Sequence, residues 1–136
     1  MVEPFTADQI EQLSSEINEQ LRELAESTPA SLRGGRPPPN NARRQLMAIE
    51  QSTSQDVATF LARFRIAARN DLCAEGGILH AQWQRFHDLT RKDMLKTFGG
   101  ILVGMGIAGN ALATAAVAIS VYILYLGIEA FCAGEE

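Results

Sequence analysis

The chain has 136 residues, 46% of them apolar, and a formal net charge of −4. That length holds one small domain and a membrane segment. Two cysteines exclude both a disulfide-rich framework and a Cys-x-x-Cys metal pair. The charge is unevenly placed. Residues 1–28 carry seven acids and one base, residues 29–98 eleven bases and six acids, and residues 99–136 three acids. This asymmetry suggests an acidic arm that pairs with a basic face, in the same chain or in a neighbour. Met1 to Ser15 has no basic n-region and no apolar h-region, so no signal peptide is expected.

The first element, within residues 1–28, is an acidic amphipathic helix. Thr6 and Gln9 have the spacing of a capping box, and Phe5 and Ile10 that of a hydrophobic staple. Asp8 and Glu11 in the first turn suit the helix dipole. Ile10, Leu13, Ile17, Leu21 and Leu24 recur at spacings of three and four, a narrow stripe suited to a partner helix. Pro29 stops it. Residues 29–41 are a linker, flexible at Gly34-Gly35 and extended at Pro37-Pro38-Pro39. Without a full PxxP frame it reads as a solvated connector.

Residues 42–98 form a basic helical region of two helices with a break near residues 76–77. The first, capped by Asn41, is expected to run through a weak polar centre, Gln51 to Asp56. Val57, Phe60, Leu61, Phe64 and Ala68 continue it on one side. Gly76-Gly77 ends it in a left-handed turn. The second spans about Ile78 to Phe98, with Leu79, Trp83, Phe86 and Thr90 on one face, and continues into the hydrophobic run.

From Thr97 to Ile128 no residue is charged. As one helix these 32 residues would be about 48 Å long, against a bilayer core of about 30 Å. Three arrangements fit: one span over about Ile107 to Ile128, a hairpin turned at Gly109-Asn110 within one leaflet, or the buried central helix of a bundle. The single span is favoured, because each hairpin arm would be short. The expected fold class is therefore all-α: a small helical bundle or hairpin of amphipathic helices followed by a C-terminal hydrophobic transmembrane helix. That helix covers residues 99–131, with a Gly-rich first half, and residues 132–136 are a short acidic tail.

Arg91, Lys92 and Lys96 precede the run, and Glu129, Glu135 and Glu136 follow it. The positive side stays cytosolic, which gives a tail-anchored membrane protein with a cytosolic N-terminal region. The three cations would meet lipid headgroups. Tyr122 and Tyr125 fall where an aromatic belt is expected. In this reading Cys73 and Cys132 lie in different compartments.

Gly100, Gly104, Ala108, Ala111, Ala115 and Ala118 form a small-residue ridge that lets a second helix approach closely. Asn110 is the one strongly polar side chain of the run, marking an interface or capping a turn after Gly109. His80 and His87, seven apart, lack zinc-ligand spacing and read as ordinary imidazoles. No catalytic, cofactor-binding or metal constellation appears, and no nucleotide-binding fingerprint. Nucleic acid and a small-molecule substrate are not expected as partners. The chain is read as no enzyme, but as a small tail-anchored helical protein that self-associates or binds a helical protein partner. The alternative is a pore-forming or membrane-permeabilising protein of toxin or holin logic, its Gly-rich helix masked until it inserts and oligomerises.

Overall fold

The computed structural model describes residues 5–27, 42–74, 76–86 and 89–133. All regular structure there is helical. The linker, the cap at Asn41, His87 and the end of the acidic tail lie outside the described residues.

Helix α1 spans Ala7–Ser27. Its start follows from two reciprocal bonds: the Gln9 amide donates to Thr6 Oγ1 at 3.1 Å, and the Thr6 amide to Gln9 Oε1 at 2.9 Å. Phe5 and Ile10 are both buried beneath this cap. Of the apolar stripe, Ile10, Ile17 and Leu24 are buried, and Leu13 and Leu21 are partly buried against the same core. The stripe's partner lies within the chain, since α1 packs on the helices called α5 and α6 below.

Helices α2, Arg43–Thr53, and α3, Val57–Ala68, replace the single helix expected across the polar patch. Ser54 turns left-handed at φ 59° and closes α2 through its amide on the Glu50 carbonyl. Asp56 then caps α3, its carboxylate accepting from the Thr59 amide at 3.2 Å. Glu50 reaches over to accept from the Val57 amide at 3.1 Å. Side chains that compete for backbone donors thus break the helix.

Past Ala68 the chain widens into a π-helical turn, Arg69–Cys73, so α3 ends before the paired glycines. His80 Nδ1 lies 3.0 Å from the Leu72 carbonyl, which fastens α4, Ile78–Phe86, to this turn. Gly77 supplies space here, in place of the expected left-handed turn. A Cβ on it would sit 2.3 Å from the Asn70 carbonyl oxygen and 2.5 Å from that of Asp71. Both are backbone atoms, so Gly77→Ala is expected to cost about 2 kcal/mol or more, read as a lower denaturation midpoint at unchanged slope.

The helix expected from Ile78 to Phe98 is also divided. α4 covers Ile78–Phe86, and Thr90 caps α5, Arg91–Gly104, through the Asp93 amide. Gln82 braces the corner, accepting from the Thr90 amide at 3.0 Å and donating to Asp93 at 2.7 Å. α5 ends in a Schellman turn. The Ile107 amide donates to the Leu102 carbonyl and the Gly106 amide to the Val103 carbonyl, each at 3.0 Å, with Gly106 at φ 91°. The buried side chains of Leu102 and Ile107 accompany it.

Helix α6, Asn110–Leu126, is the axis of the molecule. It packs against α1, α2 and α5, and every residue from Ala115 to Ile123 is buried. Gly127, at φ 91°, separates it from α7, Ile128–Ala133. The hydrophobic run is therefore the central helix of a bundle together with the end of α5. Among the described residues no helix is long and apolar enough to cross a membrane. The expected span is cut by Gly109 before α6 and by Gly127 after it. The amphipathic cover suffices because the polar breaks divide the sequence into more pieces, each free to lay its stripe on α6.

Candidate functional site

α5 and α6 pack together across a five-residue connection, Met105 to Gly109, and so form a helical hairpin. Its two ends differ in kind. At the connection, Val103 is 52% exposed, and Gly104, Gly106, Ala108, Gly109 and Asn110 are all exposed. This tip is uncharged. Asn110 opens α6 at the surface there, after Gly109 with φ 66°, so its amide is solvated rather than buried in the run.

Near the tip the cover over α6 parts. A notch of about 240 Å³ opens between Leu13, Glu16 and Gln20 of α1, Arg44 and Ala48 of α2, and Ala113, Thr114, Val117 and Ala118 of α6. Deeper in, Gln45 donates to Gln20 at 2.7 Å, while its own carbonyl oxygen is buried without a partner. Arg44 reaches Glu23 at 2.8 Å, a point where acidic arm and basic region meet. Both partners are largely exposed, so the pair contributes little to stability. The cover is held mainly by its apolar stripes.

The other end of α6 is fastened. Phe64 sits at the centre of an aromatic cluster, stacked on Phe60 at 5.9 Å and edge-on to Phe98 at 5.2 Å and Phe131 at 6.4 Å. The Arg65 guanidinium lies 4.9 Å from the centre of the Phe131 ring, and its Nε donates to the Phe131 carbonyl at 2.9 Å. A disulfide joins Cys73 of the π-turn to Cys132 of α7, with Cα atoms 5.8 Å apart. The two cysteines are therefore neighbours, and the separate compartments expected for them are corrected: a chain turned back through Gly109 and Gly127 brings them together.

The small-residue ridge is divided by the Schellman turn. Gly100 and Gly104 lie on the exposed side of α5 with open space where a Cβ would stand. Ala108 is exposed in the connection, Ala111 is partly buried, and Ala115 and Ala118 are packed inside the bundle. Ala115 and Ala118 thus face the chain's own helices. Of the three cations, Lys92 is exposed, and Arg91 and Lys96 are half-buried on α5, away from the tip. Arg91 donates to Asn18 of α1 at 2.9 Å and to the Leu89 carbonyl at 2.6 Å. Lys96 lies eight residues before Gly104, about 12 Å along the helix.

Among the described residues no group of three or more His, Cys, Asp or Glu is placed to hold a metal. No protein family, characterised protein or solved structure matches the chain. The hairpin's geometry and chemistry carry the functional reading. Sequence reasoning missed two parts of this site. Thr90-Arg91-Lys92-Asp93 has capping-box spacing that would have placed the start of α5. The cysteine pairing had no such signal, since 59 positions separate the two.

Proposed function

We propose that this chain is a membrane-active helical protein whose α5–α6 hairpin is masked in the bundle and enters a lipid surface tip-first. The observation that carries the reading is the tip: exposed, uncharged, and continuous with the buried, charge-free α6. The depth of entry follows from Lys96. With that ammonium at the headgroups, the α5 arm reaches about 12 Å, close to one leaflet of a core about 30 Å thick. Lys92 and Lys96 then stand at headgroup level, where cations are favoured.

The energetics suit a conditional process. Lipid tails are as apolar as the bundle interior, so α6 gains little by exchanging one for the other. The cost lies in uncovering the stripes of α1 and α2. Amphipathic helices recover it by lying in the interface with their apolar faces in the headgroup boundary. The exposed Gly100–Gly104 face of α5 offers close approach to a second inserted copy, which makes a homo-oligomer the expected product.

A fixed tail anchor with a cytosolic N-terminal region fits less well, because α6 is interrupted where the span would have to continue. Binding of a basic protein partner is a second reading, favoured by the exposed acidic back of α1, with Glu11, Glu16, Glu19, Glu23 and Glu26. Vesicle binding separates the two. Val103→Asp at the exposed tip should leave the fold intact and weaken binding to phosphatidylcholine–phosphatidylglycerol vesicles by about 100-fold. Unchanged flotation with vesicles would overturn tip-first entry, and no flotation of the parent chain would favour the protein-binding reading.

A further inference from the structure

We propose that the Cys73–Cys132 disulfide is a reducible lock that confines membrane entry to the tip and, once reduced, releases α6 whole; this rests on the insertion reading above. The bond closes a loop that contains α4, α5 and α6, the whole hairpin included. It joins α7, which follows α6 after one glycine, to the turn between α3 and α4. Leu126 lies six positions before Cys132, so even a fully extended connection keeps the end of α6 within about 20 Å of Cys132, whose Cα is 5.8 Å from that of Cys73. The tip lies at the opposite end of α6, which has 17 residues, about 25 Å away. A locked molecule can therefore dip its tip while the far end of α6 stays in the aromatic cluster. It cannot give up α6 entirely.

Reduction removes this tether. Arg65 on Phe131 then still clasps that end, a guanidinium on a carbonyl and a ring. Both cysteines are half-buried, not sealed, so a small or protein dithiol has access. One thiolate of the dithiol attacks one sulfur and forms a mixed disulfide. The second thiol of the reagent displaces the remaining cysteine. Two electrons and two protons pass to Cys73 and Cys132, which become thiols, and the dithiol leaves as its own disulfide. A chain that forms the bond in an oxidising compartment and meets dithiols in a reducing one would be armed on transfer.

The test uses the full chain on phosphatidylcholine–phosphatidylglycerol vesicles loaded with a self-quenching dye. The oxidised protein should bind and release dye slowly. After dithiothreitol, or in the Cys73→Ser/Cys132→Ser variant, release should rise about tenfold or more, and reoxidation of the wild type should return it to the slow rate. Ile49→Ala, at a buried position of α2 with the disulfide intact, controls for loss of stability. It should stay slow while oxidised. Equal release before and after reduction, with binding preserved, overturns the lock and leaves tip-first entry standing. Fast release by oxidised Ile49→Ala also overturns it, because destabilisation alone would then suffice. Failure of either redox form to bind vesicles overturns the insertion reading and the lock with it.

Discussion

Loss of the Cys73–Cys132 disulfide is expected to lower the unfolding free energy by about 4 kcal/mol. The magnitude comes from the 59-position separation of the two cysteines, because a long closed loop strongly limits the unfolded chain. The described domain is small, and stabilities of such domains are about 5–15 kcal/mol. The bond is thus a large share of the total. Urea denaturation of the oxidised protein and of Cys73→Ser/Cys132→Ser measures it, with the change appearing in the midpoint. A difference under about 1 kcal/mol would mean that the loop is already ordered in the unfolded chain.

Phe64→Ala should cost about 4 kcal/mol, from the lost transfer energy and the cavity it leaves. Phe64 is fully buried and touches three other rings, Phe60, Phe98 and Phe131, from three different parts of the chain. Edge-on aromatic pairs add about 0.5–1.5 kcal/mol each beyond area burial. The same substitution at the exposed Ile66, two residues on, should change stability by less than about 0.5 kcal/mol. Comparing their denaturation midpoints tests whether α3 really faces the cluster. Equal effects would place Phe64 outside it.

How legible this was depends on where the cause of each feature lies. The start of α1 was readable because Thr6, Gln9, Phe5 and Ile10 lie within a few residues of one another. Its stripe was readable too, but not its partner, because α6 lies far along the chain. The run from Thr97 to Ile128 is legible as free of charge. Its length suggested lipid, however, because an uncharged run of 32 residues exceeds what a small soluble core usually buries. Three local turns decide otherwise: Gly106, Gly109 and Gly127 all adopt positive φ. Glycine tolerates both helix and turn, so the letters alone do not choose. The break between α2 and α3 falls in the polar patch from Gln51 to Asp56, through which one helix is expected. Asp56 and Glu50 bind the freed amides and tip the balance. Of the small-residue ridge, the sequence supplied the spacing, and the turn at Gly106 divided it between two surfaces.

In the proposed mode of insertion, the uncharged tip between α5 and α6 enters lipid while the fastened end remains at the surface. Tryptophan placed at the tip reports it directly, as Val103→Trp in a Trp83→Phe background that removes the chain's one native tryptophan. Vesicles carrying bromines at graded acyl depths are added to the oxidised protein. A blue-shifted emission is expected, with strongest quenching by bromines within about 12 Å of the headgroups. Emission and quenching unchanged by vesicles would contradict it.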